Sequence, residues 1–286
     1  LVFLRRDTAL QASYDLHCHS TASDGALSPT EVVQRAAQKG VTTLALTDHD
    51  CVNGLQEAAA AAQTLGISLI PGIELSTTWN RQCVHVVGLR IDPDNAPLRQ
   101  GMAQLTEIRA GRAREIGRRL AKIGFAEAYD TAIALAGKSM ITRPHFARAL
   151  VQQGRAVDEK AAFERFLARG KHGYVTTEWA PLAEAVGWVR QAGGIAVLAH
   201  PFRYNLTGTK MRELVEAFIA AGGEAMEVVC GNSNRDEIRH AAELATRHGL
   251  LASAGSDFHS PDIHWLELGR LQELPAGLTP VWQRWQ

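Results

Sequence analysis

Short runs of consecutive apolar residues alternate along this chain with longer stretches whose apolar positions recur every three or four residues, and glycines mark the changes. The apolar runs at Val41–Thr47, Ile67–Ile70, Val84–Leu89, Ile195–Ala199, Ala225–Val229 and Leu250–Ala254 predict buried strands. Between them lie helices. Ser28-Pro29-Thr30-Glu31 reads as a capping box opening a helix to Lys39, which Gly40 stops. Leu55–Leu65, Pro181–Gln191, Thr209–Ala221 and Asn234–His248 repeat the pattern, each closed by glycine. Polar, chargeable residues recur where strands finish. Helix, glycine, strand and polar residue in succession is the grammar of a β/α barrel, whose chemistry sits at the C-terminal mouths of its strands. About seven such units predict an α/β fold, a distorted seven-stranded barrel built from residues 13–97 and 178–286. Residues 98–177 differ, with helices expected near Ala103–Ile123, Asp130–Leu135, Pro144–Gln152 and Glu159–Ala168, and read as a helical insertion. Residues 1–12 read as a leader or an expression remnant.

The most informative strand end is the first, Asp15-Leu16-His17-Cys18-His19-Ser20, followed by Asp24. In an extended chain alternate side chains share a face, so His17 and His19 point together while Cys18 points away. Alone, such a pair means little. The other strand ends add His49, Glu74, His85, His200, Asp257 and His259, giving six of the chain's eleven histidines and three carboxylates. Imidazole and carboxylate donors suit Zn, Mn or Fe. Nine candidates exceed what one ion needs, and with Glu74 bridging they would serve three ions. Asp15, Asp48 and Asp50 flank these residues and are expected to orient imidazole N–H groups, with loop capping as the simpler role for Asp50. Glu227 stays outside the set because nothing demands a tenth ligand.

Composition narrows the alternatives. The 286 residues are 46% apolar and 21% charged with zero formal net charge, which argues against a nucleic-acid coat or a membrane surface. No run approaches the roughly 18 apolar residues of a membrane span. Cys18, Cys51, Cys83 and Cys230 form no CxxC pair, so reduced thiols and a cytoplasmic location are expected. Between Arg99 and Lys122 seven basic residues face only Glu107 and Glu115, and a solvated helix face explains that excess most simply. Trp265, Trp282 and Trp285 read as packing surface.

Asp15-Leu16-His17-Cys18-His19-Ser20, Thr47-Asp48-His49, Pro71-Gly72-Ile73-Glu74, Ala199-His200-Pro201 and Gly255-Ser256-Asp257-Phe258-His259 resemble, in order, the motifs of the polymerase and histidinol phosphatase (PHP) family. Within it the chain looks most like the bacterial 3′,5′-nucleoside bisphosphate phosphatases and 5′-to-3′ exoribonucleases, whose insertion carries a stretch like Thr142-Arg143-Pro144-His145. The resemblance implies a PHP-type (β/α)7 barrel with a trinuclear site. Carried over residue by residue, His17, His19, Glu74 and Asp257 would hold the first ion, Glu74, His85 and His200 the second, and Asp24, His49 and His259 the third. Some family members have histidine where this chain has Asp24. Manganese is the expected metal, with Zn, Fe or Mg as alternatives.

The expected activity is removal of the 3′-phosphate from a 3′,5′-bisphosphate nucleotide by attack of metal-bound hydroxide. Arg143 and Arg203 are expected to hold the second phosphate, with His145 and Tyr204 as further substrate contacts. The alternatives are a 5′-to-3′ exoribonuclease on short RNA, a histidinol-phosphatase-like enzyme, and a non-catalytic module stabilised by metal. No protein or membrane partner is expected.

Overall fold

In a computed structural model of the chain, residues 13–137 and 139–285 are described. The leader expected at residues 1–12 lies outside them. The first half contains β1 (Tyr14–Asp15), α1 (Pro29–Gln38), β2 (Thr43–Leu46), α2 (Leu55–Leu65), β3 (Ser68–Trp79) and β4 (Gln82–Leu89). Helices α3 (Ala96–Ala121), α4 (Ala128–Ala136), α5 (Arg143–Gln152) and α6 (Glu159–Ala162) follow, the last running into a π-helical turn at Phe163–Leu167. Then come β5 (Ala180–Pro181), α7 (Leu182–Gln191), β6 (Ile195–Leu198), α8 (Gly208–Ala220), β7 (Ala225–Cys230), α9 (Arg235–His248) and β8 (Leu251–Gly255).

The strands hydrogen-bond in the order β1-β2-β3-β4-β6-β7-β8, with β5 against β3. The ring closes where the Leu16 amide donates to Ala254 O (3.0 Å) and the Asp257 amide to His17 O (2.8 Å). The capping box forms as expected: Ser28 Oγ accepts from the Glu31 amide at 3.2 Å, and Glu31 Oε2 accepts from the Ser28 amide at 2.8 Å.

Two elements depart from the sequence expectation. The strand beginning near Ile67 does not stop at Ile70. It runs to Trp79 and returns antiparallel as β4, because Asn80 and Arg81 both take positive φ (46° and 61°), the two-residue turn whose twist matches a hairpin. Glu74 and His85 therefore sit within strands rather than at their ends. Helix α3 starts at Ala96, before the expected Ala103, with Asn95 Oδ1 capping the Leu98 amide at 3.2 Å. Its first turns bury Leu98 and Leu105 in the layer between strands and outer helices. Its later residues Ala113, Ile116 and Leu120 pack in a separate core with Phe146, Leu150 and Leu167.

Small and branched residues fill the barrel interior beneath the mouth, including Ala45, Val87, Val197, Ala199 and Ala225. Each large side chain buried outside the ring, such as Phe218, contributes about 1.5–3 kcal/mol. Trp282 stacks on Tyr14 with ring centroids 4.1 Å apart, but Trp265 is 66% exposed and is not packing surface. All four cysteines are free thiols. Among the described residues no helix is long and apolar enough to cross a membrane.

Candidate metal centre

All nine residues singled out at the strand ends meet in one mouth of the barrel. After β1 the chain stays extended, so Cys18 turns outward to Ala45 O (3.3 Å) while His17 and His19 turn inward. His17 Nε2 lies 3.2 Å from His19 Nε2, 3.4 Å from Glu74 Oε2 and 3.3 Å from Asp257 Oδ1. Glu74 Oε1 lies 2.9 Å from both His85 Nδ1 and His200 Nε2, which are themselves 3.3 Å apart. Asp24 faces His259 Nε2 at 3.5 Å, His49 Nε2 at 3.9 Å and His19 Nδ1 at 4.0 Å. Grouping differs from the expectation. His49 presents Nδ1 to Glu74 Oε2 at 2.9 Å and groups with Glu74 and His85 as well as with Asp24 and His259, and His19 faces two groups, while His200 reaches the centre through Glu74 and His85.

These atoms fit cations. Two pairs of imidazole nitrogens approach to 3.2 and 3.3 Å, close enough for each pair to share a proton or a cation. His19 Nδ1 and His200 Nδ1 are buried without a hydrogen-bond partner. Mixed imidazole and carboxylate donors suit Mn, Fe or Zn.

The electrostatics follow from burial and mixed charge. Burial disfavours charged His17, yet Glu227, Glu74 and Asp257 outweigh it and hold its pKa well above the usual imidazole value. For His19 the same contest, won by Asp257 and Glu74, ends at about 10. His49 and His200 go the other way, because burial outweighs Glu74. Despite burial, the surrounding histidines pull Glu74, Asp257 and Asp24 below the ordinary carboxylate range, with Arg203 helping at Asp257. In metal-free protein, the stability that protonated His19 supplies is fully present below its unfolded pKa of roughly 6.5 and is lost as pH rises through about 10. A cation entering at pH 7.5 displaces that proton, so Mn binding should release roughly one proton or more per chain. Calorimetry in buffers of different ionisation enthalpy checks this, and a binding enthalpy independent of buffer would contradict it.

The flanking acids do not orient imidazoles. Asp15 accepts from the Ser256 and Gly269 amides (2.8 and 2.9 Å), and burial raises its carboxyl to about 6. Asp48 accepts from the Ser20 amide and from the Ser20 and Ser23 hydroxyls at 2.8, 2.7 and 2.6 Å, shaping the loop that carries Asp24. Asp50 accepts from the Ser76 amide and from Arg109 Nε, both at 2.6 Å. Outside the nine candidate ligands, the acid that touches an imidazole is Glu227, whose Oε1 lies 2.6 Å from His17 Nδ1. A carboxylate inside the apolar run Ala225–Val229 was the available signal. Gly255 is required next to this pair, since a Cβ there would lie 2.3 Å from His17 Cβ.

The expected substrate contacts divide. Arg143 lines a cleft of about 120 Å³ whose walls also include Asp24, His49 and His85. Arg203 stands at the mouth, hydrogen-bonded to Asp257 and, at 3.1 Å, to Asn232. His145 and Tyr204 are spent on structure. His145 Nδ1 accepts from the Thr142 amide at 3.0 Å, capping α5, and Tyr204 Oη accepts from the His85 amide and donates to Ala199 O, both at 2.8 Å. The basic run of α3 is not a uniform solvated face either. Arg118 and Arg119 pair with Glu115, but Arg109 is buried and Arg112 enters the cleft with its Nε unpartnered. Burial and the neighbouring Arg143 and Arg109 lower the Arg112 pKa to about 9.

Comparison with known proteins agrees with this geometry. A family model described as PHP domain matches residues 15–179. A Chromobacterium violaceum protein named 3′,5′-nucleoside bisphosphate phosphatase is 46% identical, the match covering 95% of this chain and 96% of the relative. A Haemophilus influenzae protein named 5′-3′ exoribonuclease is 45% identical, with 95% and 98% covered. Among solved structures, a Chromobacterium violaceum amidohydrolase with bound sulfate and no metal superposes with a TM-score of 0.91 at 46% identity, covering 96% of this chain and 95% of that one.

Proposed function

The chain belongs to the PHP-domain family, and from that premise we propose that it is a metal-dependent phosphomonoesterase that removes the 3′-phosphate of 3′,5′-bisphosphate nucleotides, leaving the 5′-monophosphate. One observation carries the choice of substrate: the candidate metal ligands Asp24, His49 and His85 and the arginines Arg81, Arg112 and Arg143 line the same cleft. A molecule with phosphates on both sides of a ribose can meet both sets of residues, whereas a monophosphate leaves the guanidiniums unneutralised. Arg112 and Arg143, their pKa values lowered by burial, gain from an anion between them.

We take three divalent ions, Mn first, to be held as His17/His19/Glu74/Asp257, Glu74/His85/His200 and Asp24/His49/His259, with His19 and His49 at the boundaries between groups. Divalent cations at these positions supply charge that stabilises phosphoryl oxygens and acidifies water. The chain's own residues do the rest. Glu74 spans the groups, Arg203 reaches the mouth from the far side, and residues 98–177 close the cleft with Arg112 and Arg143 on the substrate's second phosphate. Four free thiols fit a reducing cytoplasm.

Phosphate release from adenosine 3′,5′-bisphosphate with Mn present tests this reading, and a rate no greater than on adenosine 3′-monophosphate would sink the role of the cleft arginines. Arg112→Ala and Arg143→Ala should each lower kcat/KM for the bisphosphate by roughly 10- to 100-fold, as expected for a charged hydrogen bond worth about 1.5–3 kcal/mol. The loss on an aryl monophosphate should be far smaller. A 5′-phosphorylated RNA end could use the same arginines, a second reading favoured by the name of the Haemophilus relative. Mononucleotide release from a 5′-phosphorylated oligoribonucleotide is its test.

A further inference from the structure

We propose that Glu227 is a positioning residue shared by two of the metal groups, fixing the ring of His17 with one oxygen and the main chain of His200 with the other. The inference rests on the metal reading above and concerns a residue outside the nine candidate ligands. Glu227 is buried on β7, and its Oε1 lies 2.6 Å from His17 Nδ1. Its Oε2 accepts from the His200 amide at 2.6 Å and from the Cys230 thiol at 3.3 Å. With both oxygens engaged, and on the side of the His17 ring away from Glu74 and Asp257, the carboxylate supports ligands rather than acting as one.

Each contact decides something different. With Nδ1 turned to Glu227 as donor, the nitrogen that faces His19, Glu74 and Asp257, and that would bind a cation, is Nε2. At His200 the backbone takes φ 28°, a left-handed value unfavourable for any residue but glycine, directly after β6. The 2.6 Å hydrogen bond to its amide holds that turn, which in turn aims Nε2 at Glu74 Oε1. A β-bulge in β7 makes the double contact possible. The register against β8 shifts between Glu227 and Val229, so Val228 and Val229 both pack outward and Cys230 returns to the same side as Glu227.

The test compares the natural chain with Glu227→Ala and Glu227→Gln by equilibrium dialysis against stepped free Mn, reading metal per chain, with circular dichroism to report the fold. In Glu227→Ala the ions that use His17 and His200 should need about 10- to 100-fold more free Mn, while the ion at Asp24, His49 and His259 fills as before. Glu227→Gln keeps the shape but can accept at only one of its two terminal atoms, so its shift should be smaller and in the same direction. Nitrogen-15 spectra of the Mg-loaded protein should show a protonated His17 Nδ1 in the natural chain and lose that proton's hydrogen-bonded signal in Glu227→Ala. Uptake curves that superimpose, or that shift equally for every ion, overturn the role of Glu227. If the alanine variant does not fold, the glutamine curve alone decides. A natural chain that takes up no Mn overturns the metal reading itself, and the inference with it.

Discussion

Glu74→Gln should lower phosphate release by roughly 1,000-fold or more, the largest loss expected from any single side chain here. The change removes one negative charge and one acceptor while keeping the volume. Among the described residues, Glu74 alone has two oxygens that reach five candidate ligands: Oε1 meets His85 and His200 at 2.9 Å, and Oε2 meets His49 at 2.9 Å, His19 at 3.3 Å and His17 at 3.4 Å. Ions held by this cluster would share Glu74, so its loss would weaken more than one at once. They would supply several kcal/mol of transition-state charge stabilisation, and each 1.36 kcal/mol is tenfold in rate, which gives on the order of a thousandfold. Turnover at saturating Mn should be measured beside metal per chain. A variant within about tenfold of the natural rate would remove Glu74 from the centre of the site.

Arg109→Ala should cost about 3–5 kcal/mol of stability, the usual consequence of leaving one partner of a buried ion pair alone. Arg109 is 5% exposed and Asp50 fully buried. The guanidinium joins Asp50 Oδ2 at 2.6 Å to Ser76 Oγ at 2.8 Å and lies over the Trp179 ring at 4.9 Å, so it clamps α3 onto the loop after β2 and onto β3. Asp50 itself has a φ of 50°, and its Oδ1 holds the Ser76 amide, two residues from Glu74. The expected loss is therefore one of stability first, with activity following. Denaturant unfolding measures it. The double variant Asp50→Asn with Arg109→Met should recover part of the loss, because no charge is then stranded and Asn can still accept from Ser76. A single variant within about 1 kcal/mol of the natural chain would make the pair ornamental.

Much of this architecture can be read from residue order. Glycine stops, a capping box and β-branched runs depend on neighbours a few positions away, so they announce helices and strands locally. The His17/Cys18/His19 alternation belongs to the same class, since an extended chain presents every second side chain to one face whatever surrounds it. The apolar pattern does not announce a two-residue turn inside a run of strand residues, local though that turn is. The positive φ values of Asn80 and Arg81 turn the Glu74 strand into a hairpin, and two residues expected at strand ends become mid-strand residues.

By itself the sequence indicated the alternating strand and helix elements, the run of helices after β4 and the nine polar residues that the fold brings to one mouth. Only the tertiary structure decided which acid supports which imidazole. Glu227 lies 210 residues from His17, and their contact exists because the barrel closes β1 onto β8 beside β7. It also decided the arginines. Arg109, Arg112 and Arg118 are chemically identical in sequence, yet one is buried against Asp50, one enters the cleft and one is exposed beside Glu115. The physical reason is common to both cases. A charge's role is set by its solvation and by the groups packed around it, and those are properties of the closed ring rather than of the order of residues.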